Sequence, residues 1–229
     1  MPGLFARILF ATLSNLIGGV YMALMDPYGL TLFDVQIWGI VLGVASTGFI
    51  IGGAIIAAKG LGKNPIRTML LIVIAMGLLG AVFTIRESWW LYAGGIWLYM
   101  ALIPAVEAAE QTVIQKVVPF DKQGRVFGAA TALEFSAAPI TSFLIAPIAQ
   151  FWVIPYMRTD AGHDRWGWLL GEGDARGIAL VFLCSGVAMV VIGALAFATR
   201  SYRTLSHQFA GQREPAPIAP VETEAAPER

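Results

Sequence analysis

The sequence is poor in the side chains on which most enzymes and soluble proteins rely. Only 13% of its 229 residues are charged, two are histidine and one is cysteine. The single Cys184 excludes an intramolecular disulfide and a cysteine-rich metal cluster. Basic and acidic residues balance at a formal net charge of zero, so no excess positive charge attracts a nucleic acid. We therefore expect no metal, no cofactor, no nucleic-acid partner and no enzymatic activity.

Apolar residues are abundant instead, at 57% of the chain with a mean hydropathy of +0.71. Apolar runs long enough to cross a bilayer recur, which predicts an all-α membrane protein. Six transmembrane helices are predicted at residues 4–25, 35–58, 68–85, 88–115, 122–153 and 177–199. Residues 26–30 are predicted to form a turn and 155–176 a polar loop. The tail 201–229 is rich in Pro, Glu and Ala and is expected to be disordered.

The distribution of basic residues predicts the orientation in the membrane. Loops 59–67 and 115–125 carry three Lys or Arg each, and Arg200 and Arg203 follow the last span. Of the opposite loops, the first has no Lys or Arg, the second has only Arg86, and 155–176 has three arginines diluted by four acidic residues. Because basic loops stay in the cytoplasm, we expect a multi-pass plasma-membrane protein with both termini cytoplasmic.

Three carboxylates lie inside the predicted spans: Glu107, Glu110 and Glu134. An ionisable group at membrane depth is costly, so each is a candidate for carrying a proton or contacting a substrate. Glu107 and Glu134 lie at about the same depth, roughly 13 Å from the basic ends of their spans. The alternative is structural, above all for Glu110, which could pair with Lys116 or Arg125.

Other residues extend the candidate site. Asn15 could contact substrate or form an interhelical hydrogen bond. Gln111, Tyr21, Trp97 and Tyr99 could line a cavity that suits amphipathic or cationic compounds, or could pack. The start of the fourth span is expected to form an interfacial aromatic belt of Trp89, Trp90 and Tyr92.

Prolines and glycines predict where helices bend and approach each other. Pro139 and Pro147 are expected to break the fifth span beside a wet cavity. Glycines four residues apart lie on one helix face and allow close packing, or a sliding contact. The second span contains two such pairs, Gly39 with Gly43 and Gly48 with Gly52.

Several segments together resemble a known family. The segment 108–119, then Gln123–Gly128, then Ala138-Pro139 looks like the tenth and eleventh helices of major facilitator superfamily transporters of the bacterial multidrug-efflux type. Residues 52–67 resemble the glycine-and-basic loop between helices eight and nine of that superfamily. The resemblance gives gating roles to basic residues of the cytoplasmic loops, Lys59, Lys63, Arg67 and Arg125. The 52–67 loop lacks the acidic residue usual in the family.

The resemblance implies that the chain is the C-terminal half of such a transporter. Its six helices would form two inverted three-helix repeats, and the start of the chain three residues before a span suits a piece of a longer protein. The implied function is export of small organic compounds by proton antiport, with a missing N-terminal six-helix half as partner. A half-size transporter made of two copies and a non-transporting membrane fragment or scaffold are the alternatives.

Overall fold

A computed structural model describes residues 2–62, 64–118, 120–171 and 175–198. Side chains are described from Asn15 onwards, apart from several between positions 117 and 138. This part of the chain is 92% helical and has no strand, which confirms the all-α prediction. Five helices are long and apolar enough to cross a membrane, as a multi-pass membrane protein requires. They are Val35–Lys59, Pro65–Val82, Trp89–Lys116, Pro139–Met157 and Arg176–Ala198.

The described chain forms eight α-helices in sequence order. They are α1 (Pro2–Leu32), α2 (Val35–Lys59), α3 (Pro65–Val82), α4 (Trp89–Val117), α5 (Phe120–Ile148), α6 (Ile154–Met157), α7 (Asp160–Leu170) and α8 (Arg176–Ala198). A π-helical turn at Ala149–Val153 joins α5 to α6. The first predicted span, 4–25, lies within α1, which is not among the five apolar helices, so a sixth span stays a prediction. The predicted polar loop 155–176 includes most of α6 and all of α7.

The predicted turn at residues 26–30 is wrong, because α1 continues through it to Leu32. Pro27 lies inside the helix. A proline in a helix interior removes one backbone hydrogen bond and costs about 3 kcal/mol. Packing compensates for this cost. Tyr28 is fully buried with its ring centroid 4.7 Å from that of Tyr92, and the Tyr92 hydroxyl donates to the Met25 carbonyl at 2.7 Å. Tertiary contacts therefore hold this end of α1 helical.

The helices pack in a defined set of pairs. The most extensive contacts join α2 to α4, α3 to α8 and α1 to α5, and α3 with α4 and α1 with α8 form the next two. At the crossing of α3 and α8, Gly77 and Gly186 face each other. A Cβ at Gly77 would lie 2.9 Å from the Gly186 carbonyl oxygen. Both positions therefore require glycine for this close approach.

The two glycine pairs of α2 have different surroundings. A Cβ at Gly48 would collide with the Trp97 carbonyl oxygen, and one at Gly52 would collide with the Ala101 carbonyl oxygen. Gly48 and Gly52 therefore let the backbones of α2 and α4 touch, as predicted for a packing face. At Gly39 and Gly43 a Cβ would meet nothing within 4 Å. The packing role predicted for Gly39 and Gly43 has no counterpart within the described chain.

An aromatic cluster fills the core at one end of the bundle. Tyr21 stacks on Phe182 with centroids 5.2 Å apart and an interplanar angle of 5°. Phe83 contacts both rings at 5.9 and 5.5 Å, and Trp38 stacks on Tyr92 at 5.7 Å. Tyr92 is thus fully buried, and its predicted place in an interfacial belt is wrong. Trp89 and Trp90 are exposed, as a belt requires.

The π turn keeps one face of the fifth span against the bundle. Its inward positions, Thr141, Ile145, Ala149, Val153 and Met157, are four residues apart. In a regular α-helix, side chains four residues apart are rotated about the helix axis by about 40° from one to the next, so they would gradually turn away from the bundle. The π turn, in which the Ile154 amide bonds to the Ala149 carbonyl, has more residues per turn and offsets that rotation.

Candidate functional site on the fourth and fifth helices

One face of α4 carries two polar side chains at the surface of the bundle. Glu107 and Gln111, one helical turn apart, are both exposed. Ala105 and Ala109 point to the interior and are buried. Glu110 is half-buried at the edge of the two faces. Glu107 and Gln111 therefore form a polar strip on a surface of the bundle.

This polar strip lies at hydrocarbon depth if α4 is centred in a bilayer. The helix spans Trp89–Val117, so its midpoint is at Ile103. At about 1.5 Å per residue, Glu107 is about 6 Å and Gln111 about 12 Å beyond that midpoint. Half of a hydrocarbon core is about 15 Å thick. Both side chains fall inside this distance.

The other two polar candidates lie on the α1–α5 pair. Asn15 is half-buried on α1, next to a cross-helix contact in which the Thr141 hydroxyl of α5 donates to the Leu16 carbonyl at 3.1 Å. Glu134 belongs to α5, and its side chain lies outside the described residues. Since α4 packs mainly on α2 and α3, Asn15 and Glu107 belong to different helix pairs. Their shared role in one site stays a prediction.

The aromatic candidates are packing residues within this chain. Tyr21 is buried, and its hydroxyl donates to the Phe182 carbonyl of α8 at 3.2 Å. Tyr99 packs on the Tyr21 ring with centroids 5.3 Å apart. The Trp97 indole N–H donates to the Thr47 hydroxyl oxygen of α2 at 3.1 Å. Each ring thus holds two helices together.

The prolines of the fifth span lie inside the helix without ending it. Pro139 and Pro147 are both exposed within a continuous α5, so the expectation of a broken span there is wrong. Each removes one backbone donor, and the neighbouring turns keep the helix intact. Irregular backbone follows only at the π turn. The buried Pro104 also lies inside its helix, α4, and was not singled out by the sequence pattern.

The basic loop residues are exposed where the structure describes them. Lys59, Arg67 and Arg125 all reach the surface, and Lys63 lies outside the described residues. The Asn64 side chain caps α3 by accepting from the Arg67 amide at 3.1 Å. Asn64 thus caps the helix that follows the loop, while the gating role of the loop stays a prediction.

A contact in the α4–α5 connection gives a structural role to Gln123, which the sequence analysis named only as part of the family resemblance. The Gln123 side-chain amide donates to the Gln115 carbonyl at 2.9 Å and to the Val118 carbonyl at 3.1 Å. These carbonyls lie at the end of α4, where no helical amide remains to bond them. Gln123 therefore caps the end of α4 from the first turn of α5. The sequence shows that Gln123 follows the end of α4 within a few residues, but no sequence pattern identifies it as a helix cap.

Among the described residues, no group of three or more His, Cys, Asp or Glu side chains could hold a metal ion. The chemistry that the strip offers is proton exchange at a carboxyl group, ion pairing and hydrogen bonding. Comparison of the chain with protein-family models, curated proteins and solved structures finds no match.

Proposed function

We propose that this chain is a six-helix half of a secondary transporter of the major facilitator type, which exports small organic compounds in exchange for protons. The proposal is carried by the exposure of Glu107 and Gln111 on a helix face at hydrocarbon depth. A carboxylate facing lipid tails costs about 3 kcal/mol or more. The face is therefore better suited to water or to a second protein unit than to lipid.

The pairing of the helices supports a two-repeat organisation. In two repeats, α1, α2 and α3 would correspond to α4, α5 and α8 in that order. Under this correspondence, the contact between α2 and α4 has the contact between α5 and α1 as its counterpart. Likewise, the contact between α3 and α4 corresponds to the contact between α8 and α1, and the contact between α3 and α8 corresponds to itself. All five of these contacts are present, and they include the most extensive ones. Two inverted three-helix repeats, the arrangement of the resembled family, would produce this pattern.

The polar strip would serve the exchange of protons and substrate. A carboxyl group in a cavity that opens alternately to each side of the membrane can take up a proton on one side and release it on the other. Glu107 would carry the proton, and Gln111 would donate or accept hydrogen bonds with a substrate. The basic loops 59–67 and 115–125 favour the cytoplasmic side for both termini in a plasma membrane.

Substrate-driven proton movement tests this function. Inside-out membrane vesicles from the native cells, in which the partner half or second copy is present, would be acidified, and proton release on addition of the organic cation ethidium would be followed with a pH-sensitive dye. We expect Glu107→Gln to abolish the release and Glu110→Gln, the control on the same helix, to preserve most of it. Equal release by wild type and Glu107→Gln would refute the coupling role.

The partner can be identified separately by cross-linking in native membranes. A cysteine at Gly43, which lies on the open face of α2, would be cross-linked after Cys184→Ala replacement. Links to a separate six-helix protein would support a split transporter, and links between two copies would support the half-size homodimer. If the 229 residues transported at full rate as monomers, the half-transporter proposal would be wrong.

A further inference from the structure

Three helices that are apolar enough to cross a membrane end or begin at one end of the bundle. Along α2, Gly48 and Gly52 face carbonyl groups four residues apart in α4, in the same order, so α2 and α4 run in the same direction. Their last residues therefore point to the same side. The next helix, α3, begins there too, because Ile66 in its first turn shares a small core cluster with Val113 near the end of α4.

Exposed basic side chains mark this end of the bundle. Lys59 is the last residue of α2, Arg67 is the third residue of α3 and Arg125 lies in the second turn of α5. All three are exposed. Loops 59–67 and 115–125 contain six basic side chains and one acidic side chain, and the basic ones stay in the majority when the two glutamates near the end of α4 are included. This end of the chain therefore carries a net positive charge.

A large apolar side chain projects from the same end. Phe120, the first residue of α5, is 90% exposed, the highest value among the described large apolar side chains. It follows the end of α4 by three residues, and Gln123 holds this short connection through its bonds to two carbonyls of the preceding segment. Exposure of a phenyl ring to water is unfavourable, whereas lipid at the membrane boundary would cover it.

We propose that this end of the bundle binds anionic phospholipids, with Arg67 and Arg125 pairing with headgroup phosphates and Phe120 inserting beside them. Because three candidate spans end or begin here, these side chains lie at headgroup level when the bundle stands in a membrane. Basic side chains at that level attract acidic lipids. The phenyl ring favours a lipid over a free phosphate ion, which has no apolar part. This binding does not depend on the proposed transport function.

Lipid-dependent stability of the purified full chain tests this surface. The unfolding midpoint in dodecyl maltoside micelles would be followed by tryptophan fluorescence while phosphatidylglycerol, phosphatidylcholine or glycerol 1-phosphate is added. We expect a saturating rise with phosphatidylglycerol, a smaller rise with phosphatidylcholine and no rise with glycerol 1-phosphate. An equal rise with both phospholipids, or a rise with glycerol 1-phosphate, would overturn the proposal.

Matched pairs of substitutions assign the effect to this end of the bundle. Arg67→Gln combined with Arg125→Gln should increase the phosphatidylglycerol concentration at half of the rise about thirtyfold, or about fivefold for each cation removed. Arg158→Gln combined with Arg165→Gln removes the same charge from exposed residues beyond the other end of α5 and should leave that concentration unchanged. Equal increases in the two double variants would mean that only net charge matters, and the proposal would be wrong.

The apolar contact is tested by Phe120→Ser. This variant should increase the phosphatidylglycerol concentration at half of the rise about tenfold, because it removes the inserted ring. Phe143→Ser is the control, since Phe143 is 82% exposed on the same helix but lies inside a candidate span, and it should not change that concentration. An unchanged concentration in Phe120→Ser would also overturn the proposal.

Discussion

Adding one methyl group at Gly52 tests the contact between α2 and α4. A Cβ at this position would overlap the Ala101 carbonyl oxygen, and its next neighbours are also backbone atoms, which cannot rotate away. Overpacking of a close contact typically costs about 1–3 kcal/mol. Gly43→Ala is the matched control, because Gly43 lies in the same helix and its Cβ would meet nothing within 4 Å.

Both substitutions give the same gain in intrinsic helix propensity, about 1 kcal/mol for glycine to alanine in water. The difference between them isolates the collision. We expect Gly52→Ala to have a free energy of unfolding lower than that of Gly43→Ala by about 1–3 kcal/mol. Reversible unfolding in mixed detergent and denaturant micelles would measure it. Equal unfolding free energies for Gly52→Ala and Gly43→Ala would refute the close approach of α2 and α4.

Three further substitutions test other contacts by the same unfolding measurement. Tyr92→Phe keeps the ring packing but loses the hydrogen bond to the Met25 carbonyl, and it should cost about 1 kcal/mol; no loss would contradict that bond. Gly186→Ala should destabilise the chain by about 1–3 kcal/mol through its collision with Gly77, and a stabilised variant would contradict the crossing. Gln123→Ala should leave global stability within about 1 kcal/mol but speed amide exchange at the end of α4, whereas unchanged exchange would argue against the cap.

The sequence was sufficient to predict the helical class and most helix positions, because long apolar runs have few alternatives to a spanning helix. It also predicted that Gly48 and Gly52 mark a packing face. It could not separate them from Gly39 and Gly43, since the spacing is the same and only the neighbouring helix distinguishes the two pairs. Pattern reasoning therefore locates a candidate contact but not its partner.

The errors arose where tertiary packing overrides local preference. Pro27 and Gly29 predict a turn, yet Tyr28 is held in the core by Tyr92 and the helix continues. Tyr92 itself follows two tryptophans and shares their interfacial preference, but its side chain points inward. In the candidate site, the carboxylates were predicted from their depth in the spans.

The most direct test of the account is whether the Glu107 face of α4 borders water. In a Cys184→Ala background, Glu107→Cys would be compared with Val191→Cys, an exposed residue of α8. Val191 lies four residues beyond the midpoint of its helix, as Glu107 does in α4, so the depths match. A permanently charged thiol reagent applied to native membranes should modify the cysteine at 107 much faster than the one at 191. Equally slow modification at both positions would mean that this face does not border water, and the proposed exchange of protons at Glu107 would be wrong.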